Sequence, residues 1–280
     1  MTPFAAKNLN MGSNSTYNYI ETYLSQVQSE GKYSFTFDEL QKHFKIAPNA
    51  VKKGLQRLLV KGKVVRLRKE FYLIIPPEYS SKGMLPTLYY VSDLMKFLQR
   101  DYYIGLLSAA MIHGAGHQQP QDFYIIAGKP FLRDIKNNKA VIRFTGKKSW
   151  DKATIVEKKT DAGFVKVSSP ELTALDIVCF QESIGGLNRV ATVLDELAEK
   201  IDSDKLVKAA ISYGQIATVQ RLGYLLENIL SYKDKIEPLY NWLETQTFYP
   251  VFLKPIKKKK GKQINNRWKV IKNFLPKSDL

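Results

Sequence analysis

The chain has 280 residues, with 43 Lys and Arg against 26 Asp and Glu for a formal charge of +17, and 44% of it is hydrophobic. That length suits one large or two ordinary domains, and the apolar share is too high for a disordered chain. A single cysteine, Cys179, excludes an intrachain disulfide and a cysteine-based zinc cluster. No run approaches the roughly 18 apolar residues of a membrane-spanning helix. Met1 to Ser15 lacks the apolar block of a signal peptide, so a soluble cytoplasmic protein with no membrane contact is expected.

The charge is unevenly placed. Residues 1–85 hold 13 basic and 6 acidic side chains, residues 86–235 hold 20 and 17, and residues 236–280 hold 10 and 3. The two ends therefore carry +7 each and the long middle +3. Lys42 to Lys69 contains ten basic residues and no acid, a compact electrostatic footprint for phosphate.

Residues 1–15 are expected to be disordered, and 16–78 to form a first domain. From Tyr17 to Gln28, Tyr19, Ile20, Tyr23, Leu24 and Val27 make the stripe of an amphipathic helix, stopped near Gly31. Ser34 to Phe37 alternates as a short strand, and Asp38 begins a short helix with Leu40 and Phe44 inward. Lys45-Ile46-Ala47 is a tight turn, and Pro48 occupies the helix position that tolerates it best. The helix that follows runs to about Lys61. At 100° per residue, Val51, Leu55, Leu58 and Leu59 share one face, and Asn49, Lys53, Gln56 and Arg57 project from the other, with Lys52 beside them. Gly62 caps it. Val64–Arg68 and Phe71–Ile75 then form a hairpin around Lys69-Glu70.

This order is that of a winged helix-turn-helix. Asn, Gln, Arg and Lys on an exposed helix match the donor and acceptor pattern of a DNA major groove. Asn49, Lys52, Lys53, Gln56 and Arg57 are the candidate base-facing residues, and Arg66, Arg68 and Lys69 the candidate backbone contacts. A winged helix serving only protein contacts is the bland alternative. RNA is a second alternative, although its deep, narrow major groove suits a reading helix less well.

Pro76 to Gly83 has the composition of a linker, and residues 86–280 are expected to form a mixed α+β domain. Leu88–Leu98 and Gly105–His113 look helical. Asp122–Ala127, Ala140–Thr145, Thr154–Lys158 and Phe164–Ser168 look like strands. Helices follow over Glu171–Phe180, Leu187–Ile201, Lys205–Ser212 and Ile216–Leu230. A basic loop, 254–262, carries Lys257, Lys258, Lys259, Lys260 and Lys262. It reads as a solvated loop, a second patch for nucleic-acid backbone, or a surface for an acidic partner. Asn266-Arg267-Trp268 with Val270, Ile271 and Phe274 reads as a strand docking back on the domain.

Four stretches carry a family likeness. They are Tyr102 to Ala110 with His113-Gly114, Ser168 to Asp176, Gln220 to Leu226, and Arg267 to Asn273. In this order they resemble the AbiEi antitoxins of bacterial abortive-infection (type IV) toxin–antitoxin systems, over nearly the whole chain from Tyr17. Leu172-Thr173 stands where that family often has Arg-Thr, and the wing turn is Lys69-Glu70 rather than a glycine turn. The resemblance implies an N-terminal winged helix-turn-helix followed by an antitoxin-type α+β domain. It also implies an autorepressor bound to inverted repeats in double-stranded DNA of its own promoter. The second domain would counteract a cognate nucleotidyltransferase toxin, with or without touching it.

Other chemistry is sparse. His113 and His117 have the spacing of two metal ligands on a helix, but Gly114 and Gly116 interrupt it, and no metal or cofactor is expected. Cys179 lies between Val178 and Phe180 and reads as a buried apolar residue. Pro120-Gln121-Asp122 and Glu157-Lys158-Lys159 could place magnesium ligands on adjacent strands, the pattern of a metal-dependent nuclease. No catalytic residue is assigned and no enzyme is expected. The alternatives kept are a winged-helix regulator with a ligand-sensing second domain and that nuclease.

Overall fold

The computed structural model describes residues 13–116, 121–137, 139–255, 264–265 and 267–276. Two compact units divide the chain, and the fold is α+β. The first comprises Met1–Gln99, Ile135–Ala140 and Lys159–Phe164; the second comprises Arg100–Asp134, Val141–Lys158 and Val165–Leu280.

The first unit opens with α1 (Ser13–Ser29), β1 (Ser34–Thr36), α2 (Phe37–Phe44), α3 (Pro48–Val60), β2 (Val64–Arg68) and β3 (Phe71–Ile74). Residues Ser13 to Ser15, expected to be disordered, form the first turn of α1. Their polar side chains carry no apolar periodicity to announce it. A capping box starts α2: the Thr36 hydroxyl accepts the Glu39 N–H at 3.2 Å, and the Glu39 carboxylate accepts the Thr36 N–H at 2.6 Å. Lys45 ends α2 in the left-handed region, φ 47°, and Pro48 opens α3. The strands form an antiparallel sheet in the order β1-β3-β2.

One apolar cluster joins these elements. Ile20, Leu24 and Val27 of α1 meet Leu40 of α2, Val51, Leu55 and Leu58 of α3, and Phe35 and Tyr72 of the sheet. Each such side chain contributes about 1.5–3 kcal/mol by leaving water. Residues 86–99, expected to start the second domain, pack in this unit as a short 3-10 turn and α4 (Val91–Phe97). The Ser34 hydroxyl donates to Asp93 at 2.6 Å, and the Phe71 and Phe97 rings lie 5.3 Å apart. These long-range contacts cannot be read from local composition. The short β6 (Ile135–Lys136) also belongs to this unit.

In the second unit come β4 (Tyr102–Ile104), α5 (Leu106–Ile112), β5 (Asp122–Ala127), β7 (Val141–Gly146) and most of β8 (Ile155–Thr160) and β9 (Gly163–Ser168), whose 159–160 and 163–164 ends belong to the first. They are followed by α6 (Pro170–Cys179), α7 (Leu187–Ala198), α8 (Ser203–Tyr213), α9 (Ile216–Tyr224) and α10 (Lys233–Glu244). Sheet order runs β7-β5-β4-β9-β8. In it β4 is antiparallel to β5 and parallel to β9, while β5 is parallel to β7. The helix expected over Ile216–Leu230 changes to a π-helix at Leu225–Ile229.

A small sheet, β10 (Val251–Phe252), β11 (Ile264–Asn265) and β12 (Val270–Ile271), has the order β10-β12-β11. The docking strand expected from residue 266 onward is confined to β12. Arg267–Lys269 forms a turn instead, with Lys269 at φ 50°. Trp268 is fully buried, and its indole N–H donates to Glu227. A Cβ on Gly223 would lie 2.1 Å from the Trp268 ring, so only glycine lets α9 approach it.

Candidate nucleic-acid interface

α3 is amphipathic as the 100° spacing predicts. Val51, Leu55 and Leu58 are buried, Leu59 is half-buried against the same core, and Asn49, Lys52, Lys53 and Gln56 are exposed. Arg57, expected to project outward, is half-buried. Lys52 Nζ sits 5.8 Å from the centre of the Phe37 ring, which draws that ammonium towards the start of α2. Asn49, Lys53 and Gln56 make no hydrogen bond or ion pair among the described residues.

Gly62, at φ 69°, turns the chain from α3 into the hairpin. Arg66, Arg68 and Lys69 are exposed and unpaired among the described residues. The β2–β3 register slips between Arg66 and Arg68, a bulge that precedes the Lys69-Glu70 turn. Glu70 takes φ 65°, a left-handed conformation that costs an L side chain about 1 kcal/mol. Its carbonyl accepts the Phe37 N–H at 3.1 Å, tying the turn to α2. Burial pushes the Tyr72 hydroxyl pKa up; Arg66 opposes that shift and Glu70 adds to it.

At least two of the ten cations are locally neutralised. Lys42 pairs with Asp38 at 2.7 Å, and Lys63 pairs with Glu21. Both acids lie outside the acid-free window. Lys53, Arg66, Arg68 and Lys69 stay exposed and outside these pairs.

Elsewhere the structure separates residues whose spacing suggests joint chemistry. Asp122 pairs with Arg143 at 2.7 Å. β5 and β8 are separated by β4 and β9, so Asp122 and Glu157 do not stand on adjacent strands. At about 4.8 Å per strand that places their strands roughly 14 Å apart, and the nuclease arrangement is not assembled. His113 Nε2 donates to the Ser168 carbonyl at 2.6 Å, and burial lowers its pKa. His117 and Pro120 lie outside the described residues, as do Lys257, Lys258, Lys259, Lys260, Lys262 and Asn266. Cys179, expected to be buried, is half-buried and donates to Gln215 at 3.4 Å. Among the described residues no group of three or more His, Cys, Asp or Glu could hold a metal.

One polar cluster in the second unit escaped the sequence. Asp176, fully buried in α6, accepts the hydroxyls of Tyr103 at 2.7 Å and Tyr213 at 3.0 Å, and pairs with Lys147 at 3.0 Å. Lys147 also lies 4.1 Å from the centre of the Tyr213 ring. Every partner in this cluster is engaged, so it acts as an internal fastening between β4, α6, α8 and the segment after β7. A cleft of about 310 Å³ beside α6 and α8 is lined by Glu171, Asp202, Lys205 and Lys208, among others. Its carboxylates are occupied: Asp202 caps the Lys205 N–H and Glu171 accepts the Asp202 N–H.

Residues 103–228 match the family described as the AbiEi antitoxin C-terminal domain. The chain is also similar to the solved structure of the RV2827C protein from Mycobacterium tuberculosis. The TM-score is 0.64 at 17% identity, over 90% of each chain, a likeness of fold. No curated protein matches the chain.

Proposed function

We propose, from the match of residues 103–228 to the AbiEi antitoxin C-terminal domain, that the protein is an antitoxin that also represses its own promoter. In this reading the helices and hairpin of residues 16–78 are a winged helix-turn-helix that binds inverted repeats in double-stranded DNA. The remainder counteracts a nucleotidyltransferase toxin in the cytoplasm, by binding or opposing it rather than by a catalytic step of its own.

The observation that carries the DNA assignment is the exposed, unpaired set Asn49, Lys53 and Gln56 on α3, followed directly by Arg66, Arg68 and Lys69 on the hairpin. Amide and cationic side chains on a helix suit base edges, and cations on a protruding turn suit the neighbouring phosphates. Lys52 and Arg57 support the helix more than they read from it, given the Phe37 contact and the half-burial.

Two measurements test the reading. In a gel shift at moderate salt, Lys53→Ala/Arg68→Ala is expected to weaken promoter binding at least tenfold, and unchanged affinity refutes the interface. Co-expression with the adjacent open reading frame should restore growth when that frame encodes the toxin, and no rescue by the wild-type chain refutes the antitoxin role.

A further inference from the structure

The wing turn holds an acid at a position where a glycine would be unstrained. Glu70 is exposed, adopts φ 65°, and makes no ion pair among the described residues although Arg66, Arg68 and Lys69 stand beside it in sequence. Its main-chain carbonyl, not its carboxylate, ties the turn to Phe37. Apart from its effect on the Tyr72 hydroxyl, the carboxylate has no partner among the described residues, and its charge faces whatever the hairpin meets.

Resting on the DNA-binding reading above, we propose that Glu70 is an affinity-setting residue whose carboxylate opposes the grip of the hairpin on phosphate. A negative charge within a few ångströms of phosphates repels them, and the repulsion weakens as salt screens it. It lowers the part of the affinity that ignores sequence, which leaves recognition to depend on α3.

The test uses the full chain and fluorescence anisotropy with two labelled duplexes of equal length, the protein's own promoter and a scrambled sequence. At about 50 mM salt, Glu70→Gln is expected to tighten binding to both about fivefold, with the gain shrinking towards about 200 mM. Glu70→Gly should show the same gain and a higher melting temperature, since glycine relieves the left-handed strain. Glu70→Gln binding no tighter than the wild type overturns the proposal. So does a gain seen with Gly but not with Gln, which would make conformation rather than charge the cause. A wild-type chain that binds neither duplex overturns the DNA reading and this inference together, whereas normal binding with an inert Glu70 overturns this inference alone.

Discussion

Replacing Lys147 with methionine should expose how the second unit holds its buried acid. The Lys147 and Asp176 side chains are 13% and 0% exposed and 3.0 Å apart. Removing one partner of such a pair leaves an uncompensated buried charge, which costs about 3–5 kcal/mol. Methionine keeps an apolar stem against Tyr213, so the loss is expected near the lower end of that range. A domain of ordinary stability, about 5–15 kcal/mol, survives this in weakened form. Urea unfolding followed by circular dichroism measures it. Lys147→Met/Asp176→Asn should recover at least about 1.5 kcal/mol relative to Lys147→Met, because the amide carries no charge, its oxygen still accepts one tyrosine hydroxyl and its NH2 can donate to the other hydroxyl oxygen. A loss below about 1 kcal/mol for the single variant, or strict additivity in the double, refutes this account.

The same pair has a pH signature. Burial pushes the Asp176 carboxyl above its ordinary value of 3.8, opposed by Lys147 and the hydroxyls of Tyr103 and Tyr213. The folded state thus holds this proton more tightly than the unfolded one. Its contribution is full below the unfolded pKa and is lost as pH rises through the folded pKa. Lys147→Met removes an opposing cation, so stability should fall more steeply from pH 4 upward, and Asp176→Asn should flatten that slope.

Two further outcomes follow from packing and from a histidine. Gly223→Ala should expel the Trp268 ring, since the new Cβ would lie 2.1 Å from it; a loss of more than about 2 kcal/mol and of near-ultraviolet aromatic signal is expected, and an unchanged spectrum refutes the packing. Burial lowers the His113 pKa below its ordinary 6.5. The stability it supports is therefore present above that value and lost as pH falls through the folded pKa; His113→Gln should remove this acid-side loss in a melting series, and an unchanged series refutes the assignment.

The parts that were legible in the sequence are those with local causes. Pro48 and the spacing of Val51, Leu55 and Leu58 locate α3 and its outward face, and the paired apolar runs around Lys69-Glu70 locate the hairpin. Strand β4 is three residues long, too short to show alternation, although it pairs on both sides. Pro238 sits inside α10 and interrupts the helical reading there. The Asp176 cluster has one signal in the sequence: an acid between Leu175 and Ile177, in a helix buried almost throughout, needs a partner. Which partner it finds depends on sheet order and helix packing, and neither has a local signature. For the same reason Asp122 and Glu157 could be suspected together from spacing and then separated by two intervening strands.

Ion pairing redistributes the charge at the N-terminal end, and with it the best way to test the proposed separation of promoter binding from toxin neutralisation. Truncation before residue 86 would remove most of a unit that extends to Gln99 and includes Ile135–Ala140 and Lys159–Phe164, leaving the core around Phe71 and Phe97 unfilled. A fragment that fails to rescue growth would then report misfolding as readily as a lost function. Lys53→Ala/Arg68→Ala avoids this problem because both side chains are exposed and unpaired among the described residues, so each change should alter stability by less than about 0.5 kcal/mol. The variant is expected to lose promoter binding and to relieve toxicity as well as the wild type when expressed to the same level. Loss of both activities in a chain whose melting temperature is unchanged would refute the division of labour, because the basic face of α3 and the hairpin would then serve neutralisation too.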